Sequence, residues 1–292
     1  MFLLAHLSDP HLGPMPRPRL TELASKRLLG FVNWHLRRHL CHRRAVLDAL
    51  AADLAAAAPD HIAVTGDLVN IALEEEFAPA RAWLDRLGPP ERVTFVPGNH
   101  DVYVRATAPC AERHWGDYMQ DDRANTSPRF PFVRRRGPVA LIGLSTALPT
   151  LPFEASGKLG TAQIARLAEL LPGLENMFRV VLIHHPPLGR RPRHKRLVDA
   201  APLLQVLGER GAELVLHGHD HVQSLEWLDW AGGRIPFVGV PSASAAPGSR
   251  HDDPASYNLY RIEGQPGAWR CEMAVRGLRN GAMVEVERRR LE

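Results

Sequence analysis

Five times along the chain an unbroken apolar run stops abruptly in polar residues. The runs begin at Leu3, Ile62, Val93, Val180 and Leu214. They end at Asp9-Pro10-His11, Gly66-Asp67, Pro97-Gly98-Asn99-His100-Asp101, His184-His185-Pro186 and Gly218-His219-Asp220-His221. Short continuous apolar runs closed by glycine or proline predict strands of a sheet covered on both faces. Between them the apolar spacing becomes helical, over Ala45 to Ala58, Leu73 to Leu87, Thr161 to Leu171 and Asp199 to Arg210. The second of these helices carries Glu74 to Glu76 in its first turn, where the helix dipole favours acids. Strand and helix in alternation predict an α/β fold with a largely parallel sheet.

After residue 230 short strands dominate, at Ile235 to Val240, Tyr257 to Ile262, Trp269 to Val275 and Met283 to Glu287. Residues 230–292 are therefore expected to form a second, more antiparallel sheet packed on the first. Residues 103–135 show no clean period and are read as a cap insertion over the strand ends. No repeat or low-complexity linker divides the chain, so residues 1–292 are expected to form a single domain.

The segment from Pro16 to Arg44 differs in kind. It holds Arg17, Arg19, Lys26, Arg27, Arg37, Arg38, Arg43 and Arg44 against one acid, Glu22. Its apolar residues Leu20, Leu23, Ala24, Leu28, Phe31, Val32, Leu36 and Leu40 follow helical spacing, with Trp34 near them. A basic amphipathic helix with aromatics can lie on an anionic membrane. Alternatively its apolar stripe packs on the sheet and its arginines are solvated. A second basic run, Arg190 to Arg196, follows the histidine pair and would bring positive charge close to it.

Composition narrows the classes. With 292 residues, 45% hydrophobic and 23% charged, the chain reads as a soluble globular protein. No apolar run reaches the length of a membrane span, and the start lacks a basic leader with a cleavage site, so a cytoplasmic location is expected. The scattered cysteines Cys41, Cys110 and Cys271 indicate neither a disulfide framework nor a thiolate zinc site. The net charge of +4 leans towards anionic partners. Of the fifteen histidines, His11, His100, His184, His185, His217, His219 and His221 lie at or beside the strand-end clusters.

The clustered donors are oxygen and nitrogen without sulfur, which suits manganese, iron or zinc better than calcium. There are too many for one ion. Two adjacent metal ions would use them, and such a pair can clamp a phosphate, activate a water and stabilise both oxygens of an in-line displacement. The chemistry points to phosphoester hydrolysis.

Asp9-x-His11, Gly66-Asp67, Gly98-Asn99-His100-Asp101, His184 and Gly218-His219-x-His221, in that order, resemble the five blocks of the calcineurin-like metallophosphoesterase family. The resemblance extends from about residue 1 to about residue 225. It implies a four-layered αββα sandwich and a dinuclear centre, with manganese the first expectation and iron or zinc the others. Asp9, His11 and His221 would hold the first ion, Asn99, His184 and His219 the second, and Asp67 both. His184 is chosen over His185 on the family's His-x-Pro spacing. His100 would act as general acid or electrostatic stabiliser, oriented by Asp101. His185 and His217 are expected to support ligands or touch substrate, and His35, His39, His61, His114 and His251 to be ordinary polar residues.

Within that family, Asp9-Pro10-His11 followed by Ser25 to Trp34 resembles a bacterial group of lipid-remodelling phospholipase C enzymes. That resemblance implies hydrolysis of glycerophospholipids to diacylglycerol and a phosphorylated head group. Residues 20–44 would then meet an anionic membrane surface, with the protein peripheral at the inner face. The competing expectation is a phosphodiesterase for cyclic nucleotides or soluble glycerophosphodiesters. Exposure of Phe31 and Trp34 beside the site would discriminate the two. No stacking platform or groove-reading motif for nucleic acid is present. A non-catalytic scaffold on the same fold would have no need to keep every ligand and His100.

Overall fold

The computed structural model describes residues 1–122, 130–249 and 252–291. β1 (Phe2–Leu7) leads into a broken helical segment comprising α1 (Leu20–Leu23), α2 (Arg27–Asn33), a π-helical turn (Trp34–Arg38) and α3 (His39–Cys41). Then come α4 (Arg44–Ala57), β2 (His61–Val64), α5 (Glu74–Leu87), β3 (Val93–Phe95), α6 (Ala108–Trp115), β4 (Phe132–Arg136) and β5 (Val139–Gly143). The chain continues through α7 (Thr161–Leu170), β6 (Phe178–Leu182), α8 (Ala200–Arg210), β7 (Leu214–His217), β8 (Ser224–Trp230) and β9 (Gly233–Gly239). It closes with β10 (Ser256–Glu263), β11 (Arg270–Arg279) and β12 (Ala282–Arg290).

The strands form two six-stranded sheets, in the orders β12-β11-β10-β1-β2-β3 and β4-β5-β6-β7-β9-β8. β1, β2 and β3 are mutually parallel, as are β5, β6, β7 and β9. Alternation along the second sheet decides the layering. Leu141, Val180, Leu182, Leu214 and Leu216 join the core that contains β1 and β2, whereas Ala140, Ile142, Val181, Ile183 and Val215 meet Leu167 of α7 and Leu203 and Leu207 of α8. Leu47, Leu50 and Leu54 of α4 and Phe77, Trp83 and Leu84 of α5 pack on the first sheet. The result is the expected αββα sandwich.

The topology corrects the expectation for residues 230–292. Only β9 of the strands lying wholly after residue 230 joins the second sheet; β10 pairs antiparallel with β1, and β11 and β12 extend that first sheet. Without β10, the buried strand β1 would end the sheet with unpaired backbone groups.

Of residues 103–135, the start reaches the strand ends, where Tyr103 stacks on His100 at 5.3 Å, but the rest of the part described does not roof them, and residues 123–129 lie outside it. Trp115 stacks on Phe77 of α5 at 5.0 Å and its indole donates to the Phe77 carbonyl at 3.2 Å. Arg134 donates to the carbonyl of Val93, the first residue of β3, at 2.8 Å. That ties the later part of the segment to the end of the sheet opposite the polar clusters. The cover over the clusters is the broken helical segment, hereafter the lid.

The lid is turned inside out relative to a buried apolar stripe. Lys26, Arg27 and Arg38 face inward, while Arg37 stays exposed: Arg27 donates to Ile71 O at 3.0 Å, to Thr107 Oγ1 at 3.1 Å and to Ala72 O, and Lys26 donates to Thr150 Oγ1 at 2.6 Å. Leu20, Leu28, Leu29, Val32, Leu36 and Leu40 are exposed. A Cβ on Gly30 would stand 2.8 Å from Tyr103 Oη, so only glycine lets α2 lie this close to the body. Trp34 is 5% exposed and Phe31 is half-buried, so the aromatics of the lid are not its outer surface. Among the described residues no helix is long and apolar enough to cross a membrane.

Candidate metal centre

Each donor cluster sits just past the carboxyl end of its strand, three strands from one sheet and two from the other. The loops carry unusual backbone. Asp9, His11, Asp67, His219 and His221 have φ of 53°, 40°, 58°, 72° and 58°, the left-handed region that costs a non-glycine residue energy. Such strain persists where the surroundings over-determine it, and here neighbouring loops are pinned together: Asp9 N donates to Gly66 O at 3.0 Å, His11 N to Asp67 O at 3.1 Å and Gly218 N to His184 O at 3.1 Å.

The seven residues read as ligands converge in two groups. His221 Nε2 lies 3.2 Å from Asp9 Oδ1 and 3.3 Å from His11 Nε2. Asn99 Oδ1 lies 3.2 Å from His184 Nε2 and 3.0 Å from His219 Nδ1. Asp67 Oδ2 stands between the groups, 3.8 Å from His11 Nε2 and 3.5 Å from His184 Nε2. Donors sharing one ion at roughly 2.1 Å are themselves roughly 3.4 Å apart in a tetrahedron, so these spacings suit a shared ion in each group.

Proton bookkeeping tests the fit independently. His11 Nδ1–H donates to Val69 O at 3.3 Å, His184 Nδ1–H to Thr65 O at 2.6 Å, and His219 Nε2–H to Lys195 O at 3.0 Å, because a carbonyl can only accept. His221 Nδ1–H reaches Asp252 Oδ1 at 3.0 Å. In its neutral form every ring thus leaves a lone pair aimed inward, the arrangement in which outer partners fix metal-ligating histidines. Burial opposes charge on His184 and His221, yet Asp67 raises the first to about 10 and Asp9 raises the second to about 9. Asp67 and Asp9 thus favour positive charge at the centre.

His100 and Asp101 take up different positions from those expected. His100 Nδ1–H is held by Asn70 O, not by Asp101, and its Nε2 accepts from Arg38 Nη1 at 2.9 Å. Asp101 accepts from the backbone N–H groups of Gly98, Asp67 and Leu68 at 2.8 Å and of Val69 at 3.3 Å. It therefore staples the β2 and β3 loops together. Burial and the Asp67 charge push its carboxyl up to about 7 against the pull of those donors. Burial, with Arg38 opposing Asp67, holds His100 at about 4. His185 spends Nδ1 on Thr146 Oγ1 at 2.7 Å and donates Nε2–H to Ala155 O at 3.0 Å, leaving nothing for substrate. His217 lies buried in β7.

Several site residues had no signal in the strand-end pattern. Arg38 reaches down from the lid and donates to His11 Nε2 at 2.6 Å as well as to His100. Tyr103 stacks on His100 at 5.3 Å with Lys26 4.2 Å over its ring. Of the basic run, Arg191 pairs with Asp220, while Lys195 lines both clefts at the centre. One cleft of about 1120 Å³ runs under α2 past Leu28, Leu29, Val32 and Phe153. The other, about 1060 Å³, is lined by His42, His219, His221, Ser249 and Asp252. Arg38, Asn99 and His100 border both.

Residues 2–223 match the family model described as calcineurin-like phosphoesterase. A protein of Synechococcus sp. named a probable cyclic nucleotide phosphodiesterase is 25% identical over 229 residues, covering 77% of this chain and 80% of its own. A dimetal phosphatase from Danio rerio superposes with a TM-score of 0.64 at 12% identity over 99% of this chain and 98% of that one. A purple acid phosphatase from yellow lupin seeds superposes at 0.61 with 11% identity, over 97% of this chain and 52% of that one. At these identities the two structures show a shared fold.

Proposed function

The chain belongs to the calcineurin-like phosphoesterase family, a hydrolase family whose fold implies a dinuclear divalent metal centre, and from that premise we propose a phospholipase C-like phosphodiesterase acting on glycerophospholipids at an anionic membrane surface. The observation that carries the lipid reading is the outward apolar face of the lid. Leu20 is 87% exposed and Leu36 68%, and across the cleft Phe153 is 82% exposed. Monomeric proteins rarely leave so many large apolar side chains together around one cleft without a use for them. Exposed Arg17, Arg19, Arg37 and Arg43 lie on the same segment, which suits an anionic bilayer.

In this reading Asp9, His11 and His221 hold one ion, Asn99, His184 and His219 the other, and Asp67 both. The ions supply Lewis acidity and an activated water. Arg38 supplies the charge that meets the phosphate from the lid side, and its planar fork suits two phosphate oxygens. His100 positions Arg38: with Nδ1–H committed to Asn70 O, its Nε2 lone pair accepts from the guanidinium. The apolar cleft under α2 receives the diacylglycerol side, and the polar cleft past His221 and Asp252 the head group.

A second reading, a cyclic nucleotide phosphodiesterase, is favoured by the Synechococcus relative and by the burial of Trp34. The two separate in one assay. Manganese-loaded protein is offered phosphatidylcholine and phosphatidylglycerol vesicles, cyclic AMP and a chromogenic diester, with Asn99→Ala as control. Diacylglycerol released only with Asn99 intact supports the lipid reading. Cleavage restricted to cyclic AMP and the chromogenic diester replaces it with the second. No turnover of any of them with manganese, iron or zinc would return the scaffold alternative.

A further inference from the structure

His42 belongs to none of the five strand-end clusters, yet it reaches the same centre. It follows α3 at the end of the lid, is 6% exposed, and packs with ring centroids 4.6 Å from His11 and 5.6 Å from His221. One ring nitrogen of each of His11, His42 and His221 lies within 4.8 Å of the other two. Its place is fixed from behind: Trp34 lies parallel to its ring, and the neighbouring backbone is held by Arg43 N donating to Ser244 O at 2.9 Å and Ala246 N to Cys41 O at 2.7 Å.

A short hydroxyl chain determines where its proton sits. Ser242 Oγ–H donates to Asp9 O at 2.6 Å, and a carbonyl cannot donate back, so Ser242 Oγ offers only lone pairs to its other neighbours. Ser244 Oγ, 3.3 Å away, donates to it, and Ser244 Oγ in turn accepts from His42 Nδ1–H at 2.9 Å. The Ser242 oxygen is also within 3.2 Å of that nitrogen. The chain His42–Ser244–Ser242–Asp9 carbonyl thus puts the proton on Nδ1 and leaves a lone pair on Nε2. Among the described residues that lone pair has one long contact, Arg38 Nε at 3.4 Å, beyond the usual hydrogen-bond range. It is the same pattern of outer partner and inward lone pair that marks His11, His184 and His221.

We propose that His42 is an additional ligand of the first metal ion, alongside Asp9, His11, His221 and Asp67. The inference rests on the dinuclear reading and deepens it: the lid contributes a ligand to the centre it covers. Arg38, one helical turn before His42, then stands on the same face as a metal ligand, so metal binding and the placing of the phosphate-facing guanidinium are linked through one short stretch of backbone.

The test is a manganese titration of metal-free protein by calorimetry and electron paramagnetic resonance, comparing wild type with His42→Gln, His42→Ala and Ser244→Ala. Wild type is expected to take up two ions. In both His42 variants one of the two affinities is expected to fall by about 10- to 100-fold while the other is kept, and Ser244→Ala, which keeps the imidazole but removes its fixing partner, is expected to fall less. Near-ultraviolet circular dichroism of the metal-free forms checks the fold; if both His42 variants unfold, Ser244→Ala decides alone. Wild-type affinity for both ions in a folded His42→Ala, or in Ser244→Ala when it alone is folded, overturns the proposal and leaves the dinuclear reading standing. Fewer than two ions on wild type overturns both.

Discussion

Gly98 leaves no room for a side chain. A Cβ there would collide with Asp67 Oδ1 and lie 2.7 Å from His184 Cε1. Its own backbone is not in the left-handed region, so alanine is conformationally allowed and the penalty falls on the two donors it would push. Displacing a positioned group by about 1 Å costs roughly a hundredfold in rate. Gly98→Ala is therefore expected to stay folded and lose about a hundredfold in kcat/KM on a chromogenic diester; near wild-type turnover would mean that Asp67 and His184 yield freely. Asp101 makes a different prediction. In Asp101→Asn an amide N–H₂ must face backbone donors that the carboxylate now satisfies, which costs about 1–3 kcal/mol of stability for each group left unpaired. A lowered urea midpoint would show it, and an unchanged midpoint with lost activity would return Asp101 to a role in orienting His100. The sequence placed Asp101 beside His100 by adjacency; besides Gly98 in its own turn, its partners Asp67, Leu68 and Val69 lie in the β2 loop, a contact that no local spacing encodes.

The lid shows what element-scale reading can and cannot reach. Helical spacing and basic character over residues 20–44 were legible, because both are local. Which face turns inward was not, since the usual assumption puts the apolar stripe inside. Here the carbonyls of the β2–α5 connection at Ile71 and Ala72 present acceptors to the underside of the lid, and Arg27 donates to both, with Thr107 Oγ1 as a second donor to Ala72 O at 2.9 Å. The leucines are left outside as a consequence. Leu20 and Leu151, 87% and 71% exposed, lie outside the lining of both clefts, so they separate surface contact from substrate contact. Burying one leucine side chain contributes roughly 1.5–3 kcal/mol, about tenfold or more in affinity. Leu20→Glu with Leu151→Glu is expected to cut diacylglycerol release from anionic vesicles at least tenfold while cleavage of a soluble chromogenic diester changes less than about threefold. Equal losses on both substrates would remove the membrane contact from the reading.

At the scale of the whole molecule, the five strand-end clusters were legible because strand-to-turn grammar is written in consecutive residues. The assignment of β10, β11 and β12 to the first sheet was not, because which strand pairs with β1 is settled by long-range packing. The same packing creates a titration property that composition cannot show. His61 opens β2 fully buried, with Nε2 2.7 Å from Thr94 Oγ1 of β3. Burial, reinforced by Arg136 and Arg134, lowers it from 6.5 to about 3, so the fold holds the ring neutral. His185 and His217 shift in the same direction, to about 3 and about 4, burial being the largest cause for each. Between pH 6.5 and about 3 the unfolded chain takes up protons that the fold refuses, so stability is full above pH 6.5 and falls as the pH drops through that window. One such histidine contributes a slope of at most about 1.4 kcal/mol per pH unit. In metal-free protein, where ligand protonation is common to both forms, His61→Gln is expected to lose less stability than wild type between pH 7 and pH 4, by roughly 3 kcal/mol. Urea midpoints across that range measure it. Identical pH slopes for the two would mean that the fold admits a charged ring between β2 and β3, and that the interior at this end of the sheet is wetter than its burial implies.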